Sequence, residues 1–126
     1  MKFLCLAYEE ESKLNELSRP EWDVLRSETL AYVDILQKSG HLILTNALQS
    51  AHTAATVRVR EGNLSVTDGP YAETREQLGG FFLLEARDRR EAVELASSWP
   101  SARLGSIEVR PIEEVLREER RYFDPC

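Results

Sequence analysis

The residues best suited to chemistry lie in one segment, 67–76, which reads TDGPYAETRE. Asp68 supplies a carboxylate that could act as a general base in a partly dry pocket, since desolvation raises a carboxyl pKa. The plainer interpretation is structural, because Gly69 and Pro70 follow and a turn aspartate often bonds its own following backbone. The residues alone leave both interpretations open.

Three other side chains are candidates for ligand binding. Tyr71 could line the mouth of a pocket and hydrogen-bond a ligand, or pack its ring and leave its hydroxyl in water. Arg58 and Arg110 could bind an anion if both face one enclosed space, and ordinary surface ion pairs are the alternative. The charged residues at 73–76 are interpreted as a solvated turn.

No metal or cofactor site is predicted. His41 and His52 are eleven positions apart, and no Cys or His pair has the spacing of a compact metal site. Nothing resembles a phosphate-binding loop, a Ser-His-Asp set or a dinucleotide fingerprint. Cys5 lies in an apolar run and Cys126 is the last residue, so we expect reduced thiols rather than a disulfide.

Size and charge narrow the class of protein. The chain has 126 residues, which suits one domain. With 16 basic and 22 acidic residues its formal charge is −6, and a net negative surface argues against direct nucleic-acid binding. No apolar run approaches the roughly 20 residues that cross a bilayer, and the start, MKFLCLAYEEE, lacks a signal-peptide core. We therefore expect a cytoplasmic protein with no membrane partner.

Periodicity and turn residues predict two main helices and six strands. Ser18 and Glu21 form the capping-box pattern of a helix over 20–39, and Asp88 caps a second helix. The stretch EEESKLNEL, between the first strand and the first helix, is predicted to be a loop. The predicted strands are 2–8, 41–48, 53–60, 64–68, 79–86 and 105–112.

The order of these elements predicts an α+β fold, a ferredoxin-like plait with an extra β-hairpin at 53–68. The right-handed crossover preference places both helices on one side of the sheet. Strands 2–8 and 79–86 are apolar on both faces, so their other face needs a cover. We expect that cover to be a second copy, packed sheet against sheet about a two-fold axis. The enclosed space, with apolar walls and a few charges, has the composition of a ligand pocket.

The segment TDGPYAETRE resembles the motif DGPFAETKE of the DGPF branch of the YCII-related family, with Tyr71 and Arg75 as mild changes. The stretches SGHLILTNALQ, TVRVREGNLSVTDGP, EQLGGFFLLEARD and GSIEVRPI are also similar to the family. The resemblance covers about residues 1–113, which we take as the domain. Residues 114–126 are a tail in which we predict a short helix. The resemblance implies a dimeric α+β barrel of ferredoxin-like subunits.

The resemblance implies no single reaction. Family members are often encoded beside extracytoplasmic-function sigma factors, which implies a possible sigma-factor association. Related YCII proteins have a His–Asp pair proposed as an active site, and here Asp68 and His41 are the candidates for that catalytic pair. His41 could instead be a charged histidine at a helix C-terminus. Asn46 stands where many relatives carry an acid.

Two hypotheses follow. The first is a homodimer that binds a small ligand in a pocket between its subunits, with a regulatory role. The second is a small-molecule enzyme that uses Asp68, with or without His41, for acid–base chemistry. We favour the first because the motif holds one strong acid and no convincing partner for it. A pocket that contains Asp68 beside a second titratable group would favour the enzyme.

Overall fold

The computed structural model of the protein describes residues 1–115 and residue 122. The helix predicted in the tail falls largely on residues 116–126, which apart from residue 122 lie outside the described residues. Short 3₁₀ turns occupy Ala51–Thr53 and Pro100–Arg103. The helices and strands are β1 (Lys2–Glu9), α1 (Glu11–Asn15), α2 (Arg19–Lys38), β2 (Leu42–Ala47), β3 (Ala55–Arg60), β4 (Asn63–Asp68), β5 (Gln77–Glu85), α3 (Arg89–Ser97) and β6 (Ser106–Pro111).

Four strands form one antiparallel sheet in the order β2-β5-β1-β6. The other two, β3 and β4, pair only with each other in a separate antiparallel hairpin. The predicted α+β class is therefore confirmed, and all six predicted strands are present within two residues of their expected bounds.

The core lies between one face of the four-stranded sheet and the two longer helices. Phe3 and Cys5 of β1 and Phe82 and Leu84 of β5 are fully buried at this face. Trp99, just after α3, stacks on Phe82 with ring centroids 4.0 Å apart. The prediction that both helices cover the same face is confirmed by their buried side chains, which are Leu25, Leu36, Ala92 and Ala96.

The start of α2 follows the predicted chemistry, and a glycine ends it. The Ser18 hydroxyl accepts from the Glu21 backbone N–H at 3.2 Å, and the Glu21 carboxylate accepts from the Ser18 N–H at 2.9 Å. At the other end Gly40 adopts φ 80°, which lets the His41 N–H reach back to the Leu36 carbonyl at 2.9 Å. This stop directs the chain into β2 and fixes where His41 lies.

The loop predicted for EEESKLNEL is wrong over five residues, which form α1. The Glu10 carbonyl accepts from the N–H groups of Lys13 and Leu14 at 3.0 and 3.2 Å. The Lys13 ammonium also lies 3.3 Å from the Glu10 carboxylate. A helix this short has no apolar period to detect in the sequence. It keeps Glu10 and Lys13 beside the end of β1.

The pairing of β5 with its neighbours is irregular and close at Gly79–Gly80. The register between β1 and β5 shifts opposite Gly79, between Ala7 and Tyr8. A Cβ on Gly80 would lie 3.0 Å from the backbone oxygen of Asn46 in β2. Glycine at these positions lets three strands approach where the sheet irregularity occurs.

The second face of the four-stranded sheet, here called the open face, is covered by neither α2 nor α3. On it the strand register places Leu4 and Leu6 beside Leu83 and Phe81, and all four side chains are half-buried. Leu44 of β2, on the same face, is 49% exposed. The remaining residues of the open face are Tyr8, Asn46, Leu78, Ser106, Glu108 and Arg110.

Candidate functional site

A cleft of about 590 Å³ opens at one end of the sheet, within the volume range of about 300–1,000 Å³ usual for small-molecule sites. Four parts of the chain meet there: the end of β1 with α1, the turn before β5, the 3₁₀ turn after α3, and β6. Since Tyr8, Ser106 and Glu108 also lie on the open face, the two surfaces are continuous. The residues that line the cleft are Tyr8, Glu10, Lys13, Thr74, Arg75, Glu76, Leu104, Ser106, Ile107 and Glu108.

The turn that ends the TDGPYAETRE segment forms one wall and is tied to the strand opposite. The Arg75 guanidinium donates to the Glu10 carboxylate at 3.2 Å, and Lys13 approaches the same carboxylate. The hydrogen bond from Arg75 is the main reason that the pKa of Glu10 is lowered. Arg75 is therefore exposed, as the solvated-turn interpretation expected, but it also joins the turn to β1.

Gln77 fixes the same turn from within. Its side-chain amide donates to the Thr74 carbonyl at 2.7 Å. Its side-chain oxygen accepts from the Glu11 backbone N–H at 3.0 Å, at the start of α1. The turn therefore has a defined shape before any ligand binds, which lowers the cost of ordering it on binding.

The same turn carries a second carboxylate, on Glu76. The Ser106 hydroxyl donates to it at 2.8 Å, which connects the turn to β6. Two residues further along β6, Glu108 forms an ion pair with Arg110. The cleft thus combines the apolar surface of Leu104 and the Tyr8 ring with polar groups that hold fixed positions.

A further carboxylate, on Glu9, lies on the helix side of the sheet, next to the cleft. Burial raises the pKa of Glu9, the nearby Ser101 hydroxyl opposes that rise, and the Glu11 and Glu76 charges add to it. Sequence reasoning missed this residue, yet a signal existed. Glu9 follows Ala7 in the alternation that buries every second side chain of β1.

Asp68 is the last residue of β4 and its side chain is exposed. The corner that follows is closed by the Gly69 N–H, which donates to the Ala54 carbonyl at 2.7 Å, with Gly69 at φ 109°. Among the described residues, none donates a hydrogen bond to the Asp68 carboxylate. The side chain is therefore not engaged by the backbone of its own turn.

His41 lies at the other end of the molecule from Asp68. Its Nδ1 is 2.9 Å from the Glu85 carbonyl, at the end of β5. Asp68 instead adjoins the 3₁₀ turn that bonds to Glu11, near Gln77 at the start of β5. The length of β5 separates these ends by roughly 25 Å, so the structure does not bring Asp68 and His41 together within one subunit.

The three predicted ligand-binding residues are also dispersed. Tyr71 is 83% exposed and does not line the cleft. Arg58 is half-buried on the hairpin, whereas Arg110 lies on the open face and pairs with Glu108. Of the three, only Arg110 is adjacent to the cleft, through Glu108. Asn46 is exposed on the open face, opposite Phe81 of β5.

Cys5, as expected, is a free thiol, and burial raises its pKa to about 12. Within residues 1–115 and 122, no three or more His, Cys, Asp or Glu side chains are grouped so that they could hold a metal ion. The described helices include none that is long and apolar enough to cross a membrane.

Comparison with known proteins shows which family the chain matches. Residues 1–116 match the YCII-related domain. An uncharacterized protein of Rhizobium meliloti (strain 1021) is 34% identical over 114 residues, which cover 89% of this chain and 92% of that protein. The match spans β1 to the end of β6, and with it every residue that lines the cleft. The resemblance to the YCII-related family is confirmed, and the chain belongs to the YCII-related domain family.

Proposed function

We propose that the protein is a homodimer that binds a small molecule between its two subunits, with the cleft at one end of the bound space. The observation that carries the proposal is the open face. It presents six apolar side chains, which are Leu4, Leu6, Leu44, Leu78, Phe81 and Leu83, and neither long helix covers them.

The energetics favour a cover for this face. Each apolar side chain gains about 25 cal/mol for every Å² removed from water, so burying the face on a second copy is favourable. The strand order β2-β5-β1-β6, with two helices on one side, fits a ferredoxin-like plait with an inserted hairpin. Two such sheets packed face to face about a two-fold axis would form a dimeric α+β barrel.

The composition of the cleft supports a small ligand with an apolar body and one polar end. Leu104 and the ring of Tyr8 offer apolar contact. Glu76 and Ser106 already share a hydrogen bond, and the adjacent Arg75 brings a cation that is 80% exposed. A few placed polar groups in an otherwise apolar site are what orients a ligand.

A second candidate function is acid–base catalysis by Asp68. The observation in its favour is that this carboxylate receives no hydrogen bond from the described residues and can therefore accept a proton from a ligand. His41 is too distant to assist within one subunit. It could act with Asp68 only across a subunit boundary, where the opposite ends of two sheets can meet.

The test is sedimentation equilibrium at micromolar concentration, followed by native mass spectrometry of gently purified protein. We expect twice the subunit mass and, in addition, the mass of a co-purified small molecule. A monomer would overturn the proposal. A dimer whose crystal structure leaves no space between the open faces would overturn ligand binding and retain only the assembly.

A further inference from the structure

The β3–β4 hairpin, here called the arm (residues 55–68), has an unusual distribution of apolar side chains. Val57 and Val59 are 62% and 59% exposed, and their cross-strand partners Val66 and Leu64 are 59% and 69% exposed. On the alternate face of β3 the polar residues Thr56 and Arg58 are instead half-buried. A chain folded only for itself would place these two sets the other way round.

The arm receives little support from its own subunit. It pairs with no strand of the four-stranded sheet and makes no extensive contact with another described helix or strand. A lone two-stranded hairpin is at best marginally stable in water. Its exposed apolar side chains, paired across the two strands, also form the kind of surface that associates with another protein surface. The arm therefore needs a surface to cover it.

The base of the arm is nevertheless fixed. The Gly69 N–H bonds to the Ala54 carbonyl, and the Thr56 hydroxyl donates to the Gly69 carbonyl at 3.0 Å. Just before the arm, the Ala51 N–H donates to the Glu11 carboxylate at 3.1 Å. These bonds close the base of the arm and tie the segment just before it to α1, which reduces the entropy lost when the arm docks.

We propose that the apolar face of each arm docks on the open face of a second copy of the chain, so that the two subunits exchange arms. This inference rests on the proposed homodimer and adds the segment that holds it together. Two-fold symmetry makes the exchange reciprocal: one arm covers the edge of the partner's sheet while the partner's arm covers its own.

The available area fits a stable dimer. An arm of six residue pairs is about 20 Å long and about 10 Å wide, and the four-stranded sheet is about 20 Å in both directions. Together these surfaces offer a projected area of about 600 Å² on each subunit, close to the roughly 800 Å² of accessible surface that each partner buries in a standard interface. The arm alone, or the sheet alone, would fall short of that.

The experiment uses the full chain with a photo-crosslinking residue, p-benzoylphenylalanine, at position 59 in the arm. The matched control carries it at Val24 of α2, which is equally exposed at 58%. Copies grown in ¹⁴N and ¹⁵N are mixed, irradiated and mapped by mass spectrometry. We expect position 59 to link to an open-face strand of the other copy, β1, β2, β5 or β6, and position 24 to give no link between copies.

The outcomes separate this inference from the dimer itself. A monomer in sedimentation overturns both. A dimer in which position 59 links to the partner's arm, to its helices or only within one copy leaves the dimer intact and overturns arm exchange. As a second measurement, the double variant Val57→Ser, Leu64→Ser should raise the dimer dissociation constant about 100-fold. Ser65→Ala, on the other face of the arm, should leave it unchanged, and equal effects would contradict the inference.

Discussion

Gly105 lies so close to β1 that a Cβ at this position would be 2.0 Å from the carbonyl oxygen of Tyr8. The contact holds the start of β6 against β1, where Tyr8 pairs with Ser106, and so brings two residues of the cleft side by side. We predict that Gly105→Ala costs about 3 kcal/mol of unfolding free energy, because two backbones must move apart. Urea denaturation measures this loss.

Gly79→Ala is the matched control for that prediction. A Cβ there would be 2.7 Å from Oε2 of Glu9, but this oxygen ends a flexible side chain that can move aside. The expected cost is about 1 kcal/mol. Equal losses for the two variants would show that β6 does not depend on the close approach of Gly105 to β1.

Glu9 provides a prediction of pH dependence. Its folded pKa is raised, mainly by burial, so the folded state binds more protons than the unfolded state above the ordinary glutamate pKa. By linkage, its contribution to stability falls as the pH rises through that interval. Glu9→Gln removes the charge. We expect the melting temperature of this variant, relative to that of the wild type, to rise as the pH increases from about 4 to about 7.

For Glu21→Gln, in the capping box, we expect the stability relative to the wild type to change with pH in the opposite direction. The Ser18 backbone N–H and hydroxyl lower the pKa of Glu21, so its contribution is present above the ordinary glutamate pKa and is lost as the pH falls. This variant should lose melting temperature at about pH 7 and lose less at about pH 4. If both variants changed in the same direction, the assignment of Glu9 as a desolvated carboxyl would be wrong.

Leu44 tests whether the open face is the dimer interface. Leu44→Glu places a charge on that face, and we expect the dimer dissociation constant to rise about 100-fold because the charge must be desolvated. Val24→Glu adds the same charge to the outer surface of α2, at similar exposure, and should leave the constant unchanged. Sedimentation velocity over a dilution series measures both. Dissociation by Val24→Glu alone would move the interface to the helix layer.

Much of the fold could be predicted because its signals are local. The caps at Ser18 and Asp88 each use a side chain that bonds three residues ahead. Gly79 and Gly80 mark the place where the register of β1 and β5 shifts. The alternating apolar residues of β3 gave its bounds but not which of its faces is exposed, since that depends on a partner rather than on the pattern.

The cleft could not be predicted in the same way because its contacts are remote in sequence. Glu10 and Arg75 are 65 positions apart, and Ser106 and Glu76 are 30 apart. Conversely, the position of two residues at strand ends does not indicate whether their side chains lie close together. Asp68 and His41 both adjoin strands, yet the topology places them at opposite ends of the molecule.

Arg75 separates binding from stability at the cleft. The Arg75–Glu10 pair is largely exposed on the arginine side, so Arg75→Ala should change the unfolding free energy by less than about 1 kcal/mol. The probe 1-anilinonaphthalene-8-sulfonate has an apolar body and one anionic end, and the arginine should pair with its sulfonate. We expect its dissociation constant to rise about 10-fold in the variant, measured by fluorescence titration. Arg19→Ala is the control, since Arg19 is also exposed and pairs with one carboxylate at 3.2 Å, but on α2. If the two variants bound the probe equally well, the anionic end would not reach Arg75, and the turn before β5 would have no role in orienting a ligand.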